Sequence, residues 1–214
     1  MSNNVKRKKK MLWIGDDLRM HSGVATQLRE LVLGVVDEYD VVAIAGAIQH
    51  PEAGRVIDLS DATKQMTGIQ DAYVRIYPVN GYGDENLLFA IIQQEQPDVI
   101  CMITDPRFYG WLFALERQIR TKIPIVYWAL WDDVPYPMWN RPSYMSCDAI
   151  FAISKQSNNI HKHVIGAENC CDVDGNEFDA YGNPVKVIRY EGNVGLLGRT
   201  DYPLDVSGEI KYEK

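Results

Sequence analysis

Six short apolar stretches punctuate residues 11–166, and apolar residues recur at helical spacing between most of them. They are Met11–Ile14 and runs within Asp40–Gly46, Tyr73–Pro78, Asp98–Thr104, Pro124–Leu130 and Asp148–Ser154. Unbroken apolar runs of this length suit parallel strands covered on both faces. A parallel strand needs a crossover to reach its neighbour, and the intervening segments supply it. Val24, Leu28, Leu31, Val32 and Val35 mark a helix over about residues 23–37. Leu87, Leu88, Ile91 and Ile92 mark another, which ends near Gln96 because Pro97 cannot continue it. Phe108, Trp111, Leu112, Leu115 and Ile119 predict a third, and residues 155–165 a fourth. The alternation predicts a single α/β domain with a Rossmann-like, doubly wound, mostly parallel sheet. Residues 47–72 are polar and weakly periodic, and read as an irregular excursion with a short strand at Val56–Leu59. Residues 131–142 read as a loop.

Three segments follow: a basic, disordered arm at 1–10, a Rossmann-like domain at 11–166, and an acidic, turn-rich tail at 167–214. In the tail, Asp174-Gly175 and Gly182-Asn183 are hairpin signals, and Val185–Tyr190 is strand-like. Asp172, Asp174 and Asn176 have the spacing of a calcium loop's start, but Gly175 stands at the fourth position rather than the sixth. No metal is expected. The net charge of −7 argues against a general nucleic-acid binder. No apolar run approaches the ~18 residues that would span a bilayer. Cys101 and Cys147 sit in or beside apolar stretches, and Cys170-Cys171 lack zinc spacing. Together these features fit a cytoplasmic protein.

Ligands of open parallel sheets bind beyond the carboxyl ends of the strands. That rule selects Asp16-Asp17, Asn80–Tyr82, Thr104-Asp105, Trp131-Asp132-Asp133 and Ser154-Lys155. After the first strand, Ser22-Gly23 opens a helix whose free N–H groups and dipole favour an anion such as a phosphate. The same pair would serve as a plain helix cap. Trp131, Tyr136 and Trp139 stand beside acids, which suits sugar rings: aromatics stack on the apolar face while carboxylates accept from hydroxyls. His21 lies in the first loop as a candidate base or phosphate contact. Gly81-Tyr-Gly83 is only part of a dinucleotide fingerprint, since Asn86 replaces the third glycine.

Four stretches, in order, resemble the N-terminal half of GT-B-fold glycosyltransferases of the group-1 or family-4 class. They are MLWIGDD…HSGVATQLRELV, YPVNGYGDENL, QPDVICMITDP, and IPIVYWALWDDVPYP…CDAIFAISK, spanning about residues 11–166. The last carries most weight: Cys147–Ser154 matches a family strand that ends in serine. The resemblance implies transfer of a sugar from a nucleotide-diphosphate donor to an acceptor hydroxyl. The nucleotide sugar would be a co-substrate, with no cofactor and no metal. Ser22 and Gly23 match the donor-phosphate loop. Asp105 and Trp131–Asp133 match acceptor-side loops, and Asp16, His21, Tyr82 and Tyr136 fall on the same edge. Asp105 and Asp132 are the candidate catalytic acids. A histidine common at one of the family's strand ends is absent, and so is a second, donor-binding domain. The chain thus reads as a glycosyltransferase or its N-terminal half. The alternative is a non-catalytic sugar- or nucleotide-binding module working with a separate chain that carries the donor domain. A receiver-like phosphorylation domain fits less well, because Pro78-Val79 stands where its acceptor aspartate belongs.

Overall fold

The computed structural model describes residues 7–133 and 135–166 and, beyond them, four two-residue strands. A seven-stranded, mostly parallel sheet runs in the order β3-β4-β2-β1-β5-β6-β7, with helices between the strands. The strands are β1 (Lys9–Asp16), β2 (Tyr39–Gly46), β3 (Ile57–Asp58), β4 (Val74–Pro78), β5 (Val99–Ile103), β6 (Ile125–Ala129) and β7 (Ala149–Ala152). The helices are α1 (Gly23–Val35), α2 (Ser60–Thr67), α3 (Glu85–Glu95), α4 (Gly110–Ala114), α5 (Glu116–Ile119), α6 (Arg141–Met145) and α7 (Lys155–Ile165). The α/β, Rossmann-like class expected from the apolar runs is the class observed.

The chain divides into two compact units: Met1–Thr104 with Phe108–Ile125, and Asp105–Arg107 with Val126–Lys214. In the first, β1 is the pivot. It pairs in parallel with β2 on one edge and β5 on the other, so the winding reverses there. Leu12, Ile14, Ile44, Ile100 and Met102 are fully buried in these three strands. Each such side chain contributes roughly 1.5–3 kcal/mol of hydrophobic stabilisation.

Residues 7–10 depart from the basic, disordered arm expected over 1–10, of which 1–6 lie outside the described residues. Lys9 and Lys10 belong to β1. The Lys10 N–H donates to Asp98, and its ammonium pairs with the buried Glu95 carboxylate at 2.7 Å. Tyr73 and Tyr77 also donate to Glu95, so this buried acid has several donors. The Lys8 ammonium donates to the Val36 carbonyl and pairs with Asp71. Lysines with partners at strand ends are structural groups, not a solvated arm.

The excursion at 47–72 contains α2 as well as the short strand β3. Its sequence, SDATKQMT, shows no apolar stripe; only Ser60 and Thr63 are buried. Thr63 and Thr67 donate their hydroxyls to carbonyls four residues back. Gly68, at φ +78°, ends the helix in the left-handed conformation that glycine adopts freely. β3 lies antiparallel on β4 at the sheet edge, with Asp58 paired to Arg75 at 3.0 Å.

The helix expected from Phe108 to Ile119 is in three pieces. A 3-10 turn at Pro106–Tyr109 precedes α4, and the chain breaks at Leu115, whose N–H bonds the Leu112 carbonyl in a tighter turn. Helical spacing of apolar side chains does not distinguish one helix from consecutive short turns that bury the same face.

The second unit holds β7, α6 and α7. α6 begins inside the expected loop; Pro142 sits in its first turn, where a missing N–H costs little. Ser154 caps α7 through the Ser157 N–H. Beyond 166, Cys170–Cys171 pairs antiparallel with Glu177–Phe178, and Ile188–Arg189 with Lys211–Tyr212. The remainder of the calcium-loop and tail readings lies outside the described residues.

His161 on α7 is 2% exposed, with Tyr144 edge-on at 5.2 Å and, among the described residues, no hydrogen-bond partner for Nε2. Burial pushes its pKa down from the usual 6.5 to about 4. The unfolded chain therefore binds a proton near pH 6.5 that the native state refuses. The native state is favoured fully above pH 6.5 and loses ground as the pH falls towards 4. His161→Leu should flatten that decline by about 2 kcal/mol between pH 7.5 and pH 4.5. Urea denaturation of both proteins at the two pH values measures it; parallel declines would reject a neutral buried His161.

Candidate functional site

The carboxyl end of β1 opens the site, in the first unit. β1 approaches β5 closely: a Cβ on Gly15 would stand 2.5 Å from Ile103 Cγ2. Asp16 follows and is almost buried. Its Oδ2 accepts from Ser22 Oγ at 2.8 Å and its Oδ1 from the Tyr82 hydroxyl at 3.0 Å. Ser22 Oγ in turn accepts from the Ala25 N–H at 3.0 Å, capping α1. One carboxylate thus ties together the first loop, the start of α1 and the β4–α3 loop. The N–H groups of Gly23 and Val24 precede the first intrahelical bond and have no acceptor in their own helix. A Cβ at Gly23 would meet open space.

Tyr82 is held by aromatic neighbours. Phe108 stacks on it at 4.9 Å, and Tyr109 meets it edge-on at 5.7 Å. Phe108 is 44% exposed, so this aromatic wall reaches solvent. The buried Tyr109 hydroxyl lies between the carbonyls of Ile14 and Ile103, at the ends of β1 and β5.

Asp17 anchors a second cluster. Its carboxylate accepts from Arg19 Nε at 3.1 Å and Arg19 Nη2 at 2.8 Å, and from His50 Nε2 at 2.7 Å. His50 Nδ1 accepts from the Glu52 N–H, which places the ring proton on Nε2, facing Asp17. Arg19 also pairs with Glu52 at 2.9 Å. Burial raises the Asp17 pKa, but the bonds from Arg19 and His50 outweigh it and hold the carboxyl below its usual value. Both His50 nitrogens are engaged, so the ring links the Asp17 carboxylate to the Glu52 backbone.

The loops are fitted tightly. Ala47 N–H donates to the Gly81 carbonyl, and a Cβ on Gly46 would stand 2.0 Å from that oxygen. Gly81 and Gly83 have φ of +71° and +89°. They make a turn that side chains strain to adopt, which accounts for this pair without a dinucleotide. Thr104, at the end of β5, has φ +98°. That is an outlier for a β-branched residue and marks local strain at the carboxyl end of β5.

In the second unit, Trp131 and Trp139 meet edge-on at 5.8 Å, and Trp139 is 64% exposed. Trp131 Nε1 donates to the Asp133 carbonyl, and Gln156 Nε2 to the Asp132 carbonyl at 2.7 Å. The loop is thereby fastened to the first turn of α7. Tyr136 lies over His163, with ring centroids 4.0 Å apart. Asp105 pairs with Arg107 at 3.0 Å.

Of the residues expected from the sequence, Asp16, Ser22, Gly23 and Tyr82 come together. His21 is exposed and makes no hydrogen bond or ion pair among the described residues. Trp131, Asp132 and Asp133 share a loop, with Tyr136 stacked separately. Arg19, His50 and Phe108 were not anticipated. Arg19 was visible as the residue two beyond Asp17, but His50 lay in the featureless excursion, 33 positions from its partner. Among the described residues, no group of three or more His, Cys, Asp or Glu side chains is placed to hold a metal ion. No helix among them is long and apolar enough to cross a membrane. No family model, curated protein or solved structure gives a significant match to the chain.

Asp17→Asn removes the charge that Arg19 and His50 serve and should cost about 2 kcal/mol at pH 7. Because the native pKa is lowered, the wild-type advantage should persist above pH 3.8 and vanish as the pH falls through the native value. Denaturant titration from pH 7 to pH 3 measures both. Gly46→Ala, which drives a methyl into the Gly81 carbonyl, should destabilise by about 2 kcal/mol. Gly34→Ala, in open space on α1, should instead stabilise by about 0.5 kcal/mol. Equal melting temperatures for the two variants would contradict the close loop packing.

Proposed function

We propose that the chain is a cytoplasmic glycosyltransferase, or the acceptor-side half of one, using a nucleotide-diphosphate sugar as donor. The observation that carries this reading is the start of α1 at the β1–β5 reversal. There Gly23 and Val24 offer N–H groups at the positive end of a long helix, in a strand–loop–helix unit where parallel sheets take ligands. Backbone N–H groups and the helix dipole can stabilise a leaving diphosphate without a metal. Asp16 limits how closely an anion approaches Ser22, because the hydroxyl already donates to the carboxylate. The diphosphate is therefore assigned to the Gly23 and Val24 N–H groups, with Ser22 as the cap that orients them. In the second unit, the exposed Trp139, with Trp131 and the Asp132-Asp133 carboxylates, has the composition of a saccharide contact.

A binding module that works with a partner chain is the second reading, and one observation favours it. The titratable side chains around Asp16 and Asp17 are engaged with one another. Of the candidate bases in the first unit's site, that leaves the exposed His21 of the first loop, which holds no partner among the described residues.

Incubation with a panel of uridine, guanosine, adenosine and thymidine diphosphate sugars should release free nucleoside diphosphate. Gly23→Pro, which removes one N–H at a helix position that accepts proline, should weaken nucleoside-diphosphate binding by about tenfold with little change in melting temperature. Binding without turnover would select the binding module. Absence of both, for every nucleotide, would end the proposal.

A further inference from the structure

Between α1 and α2 the first unit carries an apolar groove of about 190 Å³. Val32 and Leu33 of α1, Ala62 and Met66 of α2, and Leu59 and Val74 contribute to its lining. α2 is a short, mostly polar helix. That helix buries only Ser60 and Thr63, and leaves Ala62 and Met66 on its outer side. Met66 is 67% exposed, an unbranched and adaptable side chain held in water.

Two guanidinium groups also line the groove, and they are not equivalent. Arg19 is neutralised by Asp17 and Glu52. Arg29 donates Nη1 to the Leu18 carbonyl at 3.2 Å and meets no carboxylate among the described residues. The Leu18 bond orients the guanidinium while its other N–H donors stay available. An uncompensated, oriented arginine beside an apolar wall is complementary to a ligand with an apolar body and a negative head.

We propose that this groove binds a small amphiphilic anion: a carboxylate on an apolar group of about six to eight carbons, since an apolar cavity of about 150 Å³ accepts benzene. Arg29 takes the carboxylate through paired N–H donors. The apolar body lies against Val32, Leu33 and Leu59, and Met66 adjusts over it. The site is separate from the Gly23 and Val24 N–H groups and does not depend on the glycosyltransferase reading.

Calorimetric titration of the full chain with octanoate, octan-1-ol and octylammonium tests it. Octanoate should bind saturably at one site and at least about tenfold more tightly than either analogue. Arg29→Met should remove that preference. Ala62→Phe, at an exposed position of α2, should fill the groove and abolish binding, and the melting temperatures of both variants show that they fold. The proposal fails if octanoate does not saturate, if Arg29→Met binds it equally well, or if folded Ala62→Phe still binds it. Co-sedimentation with phosphatidylglycerol vesicles that octanoate does not compete away, in the absence of octanoate binding, would make the groove a membrane contact instead and would also overturn it.

Discussion

The backbone of β1 must satisfy its N–H and C=O groups on two edges at once, and the first unit follows from how it does so. β2 takes one edge and β5 the other, both in parallel. Two parallel neighbours require helical crossovers, and the crossovers cover the faces. Leu12, Trp13 and Ile14 are then buried, which is why the segment reads as an unbroken apolar run. In folds of this class a reversal of winding marks the place beyond the strand ends where ligands bind. Asp16 and Asp17 emerge there because the strand ends there.

The two aspartates are adjacent in sequence and have different neighbours. Asp16 joins the start of α1 to Tyr82 of the β4–α3 loop. Asp17 gathers Arg19 and His50. Together they fasten loops that would otherwise be free to move independently. This suits a preorganised ligand edge, since groups already held in place lose little freedom when a ligand arrives. It also explains why the cluster is a poor source of a proton acceptor. The donors around Asp17 hold its carboxyl below the usual value and make it a weak base.

The elements that sequence patterning missed share one property: their helical geometry is stabilised by polar and local interactions. α2 relies on threonine hydroxyls bonded to carbonyls four residues back and on a glycine terminus. α6 begins at a proline that looks like a helix breaker when its position in the first turn is unknown. Lys10 looks like part of a solvated run until Glu95 and Asp98, 85 and 88 residues away, supply its partners. For this lysine the local residues are compatible with either outcome, and distant residues decide.

The order of apolar runs and helical faces alone determined the α/β class and the parallel strands. Those features follow from period and length, which are local. Ser22 as a helix cap and Asp16 beside it were equally legible, because the cap geometry spans only a few residues. Only the tertiary structure decided that Tyr82 reaches Asp16, that His50 reaches Asp17, and that Arg29 meets no carboxylate among the described residues beside an apolar groove. Each of these is a meeting of segments brought together by packing. A hydrogen bond or a missing ion pair across such a distance leaves no periodicity for a sequence to carry.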